Sequence, residues 1–355
     1  MAQLYIKAST LDKIRKVWIK GLRMHEFCFD THAIRLFNTD SLNVYQSWDI
    51  PTVIISDGPY GIGGYKGDPI THQELPSFYE PHIALWSQIA KPFTTLWFWN
   101  TEIGWATVHP LLEKYGWEYR ECCIWNKGMA HIAGNTNTQV IRKLPVVTEV
   151  CGHYVKKVQI PIENRILSLK EWLRYEWERT GIPINKTNEV CGVKNAATRK
   201  YFTKDHLWYF PPVEAFERLV DYANTYGIKN GVPFFSLDGI SPLSGVEWGK
   251  MRAKFYCPIG ITNVWNEPPL AGKERLKNGS KAIHLNQKPL KLIRNLIQMS
   301  SDEGDVIWEP FGGLFTGAIA SNELARCYYG AEIDKHVYDI GIERIQTLLS
   351  QPQLF

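Results

Sequence analysis

Asp305-Val306-Ile307-Trp308-Glu309-Pro310-Phe311-Gly312-Gly313-Leu314-Phe315-Thr316-Gly317 is the stretch on which the fold turns. Its first five residues are an apolar run closed by an acid, the pattern of a buried strand. The remainder is a glycine-bearing turn that opens a helix over Ala318–Ala325. Cys327–Glu332 then reads as a second strand ending in an acid. Strand, glycine turn, helix, strand, acid is an arrangement that holds a nucleoside, because Gly312 and Gly313 allow close backbone approach and Glu332 can serve ribose hydroxyls. Such a unit belongs to a parallel sheet crossed over by helices. An apolar-periodic helix (Leu290, Leu292, Ile293, Leu296, Ile297) precedes it, and Lys335–Leu349 closes the chain as another.

The first half of the chain repeats the pattern. Ala33–Phe37, Thr52–Ser56 and Thr94–Trp99 read as strands, with helices over Ser77–Ala90 and Glu102–Tyr115. Tyr119–Trp125 and Leu144–Gly152 read as two more strands, expected as a hairpin at one edge, and residues 1–30 read as a helical lead-in. Ser56-Asp57-Gly58-Pro59-Tyr60-Gly61 stands at the C-terminal end of the 52–56 strand, where ligands of open α/β sheets collect. An acid, a rigid turn and an aromatic there can grip a flat ring bearing an amine. Asp57 and the Gly58 carbonyl accept hydrogen bonds, Pro59 fixes the turn, and Tyr60 stacks on the ring face. Asp40, after the 33–37 strand, occupies the same kind of place. The glycine-rich run 61–69 reads as a mobile loop closing over a substrate, or as a plain surface connection.

Composition narrows the classes. The chain has 355 residues, 45% apolar and 21% charged, which is the balance of a soluble globular protein. No apolar run approaches the roughly 20 residues that span a bilayer, and residues 1–20 lack a secretory apolar core, so a cytoplasmic protein without membrane partners is expected. Seven cysteines form no C-x-x-C pair, which favours free thiols in a reducing compartment, with Cys122 and Cys123 on a strand. Net charge is +4, yet residues 130–281 carry 22 Lys+Arg against 14 Asp+Glu. A basic segment interleaved with Trp and Tyr suits a polyanion with exposed bases. Within it, Ile166–Trp177, Asn185–Cys191 and Asn195–Phe202 read as short helices that resemble a helix-turn-helix carrying Arg199 and Lys200, while 228–282 lacks periodicity and reads as irregular structure connecting back to the sheet.

Three separated motifs then agree. The chain resembles a β-class amino-DNA methyltransferase of the restriction-modification type, a family that methylates adenine N6 or cytosine N4. Asp57-Gly58-Pro59-Tyr60 is similar to the family's Asp-Pro-Pro-Tyr. Phe311-Gly312-Gly313-Leu314-Phe315-Thr316 resembles its Phe-x-Gly-x-Gly-Thr turn, and His284-x-Asn286-Gln287-Lys288-Pro289 its His-Pro-Thr-Gln-Lys-Pro segment. Gly330-x-Glu332-Ile333-Asp334, followed by Tyr338 and Arg344, also matches. The likeness spans residues 33–152 and 284–349. Gly58 stands for a proline, Leu314-Phe315 for Ser-Gly, and Glu309 for an Asp.

The resemblance implies a Rossmann-like S-adenosylmethionine-dependent methyltransferase sheet in circularly permuted order, the catalytic motif preceding the cofactor motif. It implies catalytic parts at 1–152 and 283–355, with a basic, partly helical target-recognition region at 153–282. Asp57, Gly58, Pro59 and Tyr60 would hold a flipped-out base. Asp40, His284, Asn286, Lys288, Phe311, Gly313, Thr316 and Glu332 would hold S-adenosylmethionine: Asp40 on the adenine amine, Phe311 on the adenosine, Glu332 on the ribose, His284 and Lys288 near the methionine carboxylate. No metal is required. Double-stranded DNA is the expected partner, with a restriction endonuclease acting separately and a homodimer both compatible with the reading. Asp57 favours adenine; cytosine N4, an RNA substrate, a protein amide and a catalytically silent DNA-binding module are the alternatives. A nicotinamide dehydrogenase lacks its G-x-G-x-x-G turn here.

Overall fold

The strands at the centre are apolar on both faces. Val53–Ser56 and Thr95–Asn100 have every residue buried, and Val306–Glu309 has three of its four. A strand like this needs a helical layer on each side. The computed structural model describes residues 11–19, 22–64, 67–129, 132, 140–229, 231–270, 275, 277–278, 281–282 and 287–350. Among them the strands are β1 (Leu11–Ile19), β2 (Leu22–Phe29), β3 (Ala33–Asn38), β4 (Val53–Ser56), β5 (Thr95–Asn100), β6 (Trp117–Asn126), β7 (Thr148–Lys156), β8 (Ile160–Ile162), β9 (Arg165–Leu167), β10 (Val264–Asn266), β11 (Lys277–Asn278), β12 (Lys281–Ala282), β13 (Val306–Glu309) and β14 (Cys327–Ala331). The helices are α1 (Leu75–Ile89), α2 (Glu102–Lys114), α3 (Leu169–Arg179), α4 (Lys186–Val190), α5 (Val213–Tyr226), α6 (Gly245–Gly249), α7 (Leu290–Ser300), α8 (Thr316–Glu323) and α9 (Lys335–Ser350).

The main sheet runs β1-β2-β3-β14-β13-β4-β5-β7-β6-β10. Strands β3, β14, β13, β4 and β5 are mutually parallel, whereas β7 lies antiparallel between β5 and β6. Alternation along each strand feeds two cores. Val53, Ile55, Trp97, Trp99 and Ile307 pack with α7, α8 and α9, while Ile54, Leu96, Phe98 and Trp308 pack with α1 and α2. This is a Rossmann-like three-layer fold, and all five parallel strands end at the same edge. The topological switch lies between β13 and β4, so the turns that follow these two strands open side by side.

Four expectations are corrected. The N-terminal segment is not a helix: β1 and β2 form an antiparallel hairpin that extends the sheet from β3. Pairing along the open edge of β3 satisfies a whole row of backbone groups, which outweighs a weak helical preference. The 119–152 hairpin is not at the edge, because β10 pairs in parallel outside β6. Part of the aperiodic 228–282 stretch is therefore a strand of the sheet. The helix-turn-helix dissolves, since α4 has five residues and Ala197–Tyr201 is a single π turn.

The described chain divides into two compact units, residues 1–156 with 253–355, and residues 157–252. The second has its own core, in which Trp172, Trp177 and Trp248 are wholly buried and Phe216 stacks on Trp248 at 4.1 Å. Residues 253–270, which the expected insertion included, thus group with the sheet. Among the described residues no helix is long and apolar enough to cross a membrane.

Candidate active site

The turn after β4 is held from below. The Pro59 carbonyl accepts from the Tyr79 hydroxyl of α1 and from Asn100 Nδ2 at the end of β5, each at 3.0 Å. Asp68, itself buried, accepts backbone N–H groups of Tyr60, Gly61, Ile62 and Gly64 at 2.9–3.3 Å. The glycine-rich run is therefore fastened at its start. Gly58 sits where a Cβ would stand 2.5 Å from the Phe311 ring and 2.6 Å from the Tyr79 hydroxyl. Its missing side chain lets the turn after β4 meet the turn after β13.

Asp57 Oδ1 accepts two hydrogen bonds, from the Tyr60 hydroxyl and from Lys288 Nζ, both at 2.7 Å. Lys288 Nζ also reaches the Tyr60 hydroxyl at 2.8 Å and Glu149 Oε2 at 3.2 Å, and Lys127 pairs with the other Glu149 oxygen. Burial works to lower the Lys288 ammonium, but Asp57 and Glu149 outweigh it and hold the group above the usual lysine value. Burial likewise works to raise Glu149, and Lys288 with Lys127 bring it below the usual carboxylate value. Both stay charged at neutral pH. Tyr60 is only 3% exposed, so a base that stacks on its ring must displace what covers it. Burial and the neighbouring carboxylates push its phenol well above the usual tyrosine value.

The second turn carries the nucleoside-type features. Gly312 N–H donates to the Ala331 carbonyl at 2.7 Å, folding the turn over β14. Glu332, one residue past β14, accepts from Gly313 N–H at 2.9 Å and Asp334 N–H at 2.8 Å. Burial pushes its carboxyl up to about 7. Phe311 is half-buried against Phe78 and His82, with ring centroids 5.9 and 5.0 Å away. Burial drives His82 down to about 4, so a neutral imidazole lies beside that ring. Thr316 begins α8, and Arg344 of α9 donates to its hydroxyl and to the Leu314 carbonyl, at 3.1 and 2.9 Å. Phe315 takes the left-handed conformation at φ 55°, where a glycine is usual. Asp40 caps the turn after β3 by accepting from Leu42 N–H at 2.9 Å.

The structure thus brings Asp57, Gly58, Pro59, Tyr60 and Phe311 together, with Gly313 and Thr316 on the adjoining turn and Glu332, past β14, bonded to Gly313. Lys288, expected near the methionine carboxylate, has its ammonium within hydrogen-bond reach of Asp57, Tyr60 and Glu149. His284 and Asn286 lie outside the described residues. Glu149, Lys127, Asp68, Tyr79 and Asn100 were not singled out in the sequence. One signal was present for Glu149: an acid set among the β-branched residues Val146, Val147, Thr148 and Val150 is costly unless paired.

Sheet order, glycine turn and acid are those of a Rossmann-like, nucleoside-binding fold. The chain belongs to the N6/N4 methyltransferase family described as DNA methylase, which matches residues 52–343. It is a DNA methyltransferase with S-adenosylmethionine as cofactor, and the residues present fit that group: a half-buried acid beside a glycine N–H, and a half-exposed phenylalanine ring. Among similar proteins, the type II methyltransferase M.HindIII of Haemophilus influenzae is 24% identical over 87% of this chain and 94% of its own. M.BglII of Bacillus subtilis, also a type II methyltransferase, is 24% identical over 88% of this chain and 69% of its own. Of solved structures, the M1.HpyAVI–SAM complex has a TM-score of 0.48 and 14% identity, covering 87% of this chain and 98% of that one. PvuII DNA methyltransferase, cytosine-N4-specific, has a TM-score of 0.47 and 10% identity, covering 90% and 87%.

Proposed function

We propose that this protein is a site-specific methyltransferase of a restriction-modification system that methylates the exocyclic N6 of an adenine flipped out of duplex DNA. The observation that carries the reading is the state of Asp57. Its Oδ1 is saturated by Tyr60 and Lys288, which leaves Oδ2 as the acceptor for an incoming amine. An exocyclic amine is a poor nucleophile while its lone pair is delocalised into the ring. Hydrogen bonds from its two N–H groups to Asp57 Oδ2 and to the Gly58 carbonyl favour the tetrahedral nitrogen of the transition state. S-Adenosylmethionine, when bound, supplies a methyl on a sulfonium, so the nitrogen forms its N–C bond as sulfur leaves with the S–C electron pair. Asp57 Oδ2 also lies on the nitrogen's N–H side, where it can take the proton that the methylated amine gives up. Tyr60 and Pro59 set the plane of the base, and in-line alignment contributes much of the rate.

For the cofactor, Glu332 would bind the ribose hydroxyls, Phe311 would pack on the adenosine, Gly313 and Thr316 would shape the turn, and Asp40 would accept from the adenine amine. The 157–252 insertion would read the target. Its segment 199–209 supports that role: Arg199, Lys200, Lys204 and Tyr209 are exposed there, and Lys200 lies 5.0 Å over the Tyr209 ring, a cation and an aromatic offered together. A carboxylate rather than a hydroxyl at position 57 supports adenine over cytosine, as does the resemblance in its motif. The test is to incubate the protein with S-adenosylmethionine and unmethylated bacterial DNA, digest to nucleosides and weigh the products, with Asp57→Ala alongside. N6-methyladenine from the wild type alone is expected. N4-methylcytosine overturns the base, and product from Asp57→Ala overturns the catalytic residue.

A further inference from the structure

Four charged side chains from four separate segments converge beside Tyr60. Asp57 follows β4, Lys127 follows β6, Glu149 lies on β7, and Lys288 leads into α7. Two carboxylates and two ammonium groups sum to zero net charge. The side chains of Lys288, Asp57, Glu149 and Lys127 are 1, 12, 12 and 12% exposed, so each depends on the others for the solvation that water no longer gives. Lys288 is the hub. Among the described residues, oxygens of Asp57, Tyr60 and Glu149 lie within 3.2 Å of its Nζ. It also lies 5.2 Å from the centroids of both the Tyr60 and Trp99 rings, which face its positive charge with their π clouds.

We propose that Lys288 is a positioning residue for methyl transfer rather than a ligand of the cofactor, and that Glu149, itself held by Lys127, fixes Lys288 in that place. The inference rests on the reading of Asp57 as the acceptor of the target amine. A carboxylate on a turn can rotate so that either oxygen faces the substrate. With Oδ1 bound to both an ammonium and a phenol, rotation is blocked and Oδ2 is the oxygen presented. The same contacts anchor the Tyr60 hydroxyl, so the acid and the ring that would meet the base are oriented by one cation. Without Lys288, Asp57 would lose its ammonium partner and Glu149 would keep only Lys127, leaving one net negative charge beside Tyr60 that would drive the two carboxylates apart. The Tyr60 phenol has one proton and two carboxylates in reach, at 2.7 Å from Asp57 and 3.2 Å from Glu149. Lys288 supplies the donors that this single proton cannot.

The test measures single-turnover methyl incorporation from labelled S-adenosylmethionine into unmethylated genomic DNA, together with cofactor affinity, for Lys288→Met, Glu149→Gln and the double variant. The expected result for Lys288→Met is a loss on the order of a hundredfold in the saturated rate with cofactor affinity within threefold of wild type. Glu149→Gln, nearly isosteric, is expected to lose about tenfold, and the double variant no more than Lys288→Met alone, because Glu149 acts through Lys288. A purely structural role would lower cofactor affinity and rate together and make the two losses add. Weakened cofactor binding with an unchanged saturated rate would overturn the proposal and return Lys288 to the cofactor. Unchanged rates in both single variants would overturn it too. Should Lys288→Met fail to melt cooperatively, Glu149→Gln decides. If Asp57→Ala retains wild-type transfer, the underlying reading has failed, whatever the lysine variants do.

Discussion

Glu332 shows how a residue that is easy to spot in a sequence acquires its chemistry only from its surroundings. An acid at a strand end is legible, but burial against the glycine turn pushes its carboxyl up to about 7. Hydroxyl donors prefer the ionised acceptor, so cofactor affinity should rise as pH passes upward through 7 and level off above it. Between pH 6 and 8 the ionised share grows roughly tenfold, and the affinity should follow. Calorimetric titration at pH 6, 7 and 8 checks this. Glu332→Gln should bind weakly and lose that part of the slope, and equal slopes in the two proteins would remove Glu332 from the cofactor site. The three departures from the family motif find their reasons at this scale as well. Gly58 makes room for Phe311, and Phe315 accepts a left-handed backbone, worth about 1–2 kcal/mol of strain, while its ring is wholly buried between Gly312 and Gly341. Glu309 is pushed up to about 8 by burial and accepts from the Tyr328 hydroxyl at 2.5 Å, so at neutral pH it is mostly an uncharged acid. Phe311, Gly341 and Tyr328 are all distant in sequence from the residues they fit, so that fit could not be read there.

At the scale of elements, regular periodicity was the reliable guide. The strands and helices flanking both turns lie where the apolar spacing puts them, because burying a β-branched or aromatic side chain contributes about 1.5–3 kcal/mol wherever the period matches the layer. The glycine-rich run was a different matter. Composition marks it as a loop but is silent on Asp68, whose carboxylate gathers four N–H groups from Tyr60–Gly64 and leaves the segment's start no freedom to swing. Asp68→Ala should lower stability by about 2–4 kcal/mol in denaturant titration, since buried donors lose a charged acceptor. Hydrogen exchange should show the loss of protection at Tyr60, Gly61, Ile62 and Gly64. Unaltered exchange at those amides would mean that the loop is held by something else. The short helices of the insertion failed as a helix-turn-helix for a related reason: a motif of that kind needs a continuous second helix, and one π turn offers too little surface to lie in a groove.

At the scale of the whole molecule, chain order and charge separate. Residues 157–252 carry 14 Lys+Arg against 11 Asp+Glu, so five of the surplus of eight found over 130–281 fall outside this unit. The inserted unit is nearly balanced, and its part in recognition rests on where its charges lie rather than on their sum. With Trp172, Trp177, Phe216, Leu219, Phe235 and Trp248 wholly buried among themselves, it has a core of its own. Residues 157–252 expressed alone should therefore give helical far-UV circular dichroism and a cooperative melt followed in the near-UV tryptophan bands. A featureless near-UV spectrum would show that the core needs the rest of the chain.

The parallel sheet, the two turns after its central strands, their order along the chain and the family were all legible in the sequence, because each is written in residues close together: a period of two or of 3.6, a glycine turn, an acid at a strand's end. The tertiary structure alone decided the remainder. It laid the N-terminal hairpin on β3, set β7 between β5 and β6, and brought Lys288 to Asp57 across 231 residues. Strand pairing and buried ion pairs are chosen by which distant groups can satisfy one another once the core has closed. Local spacing carries no record of that competition.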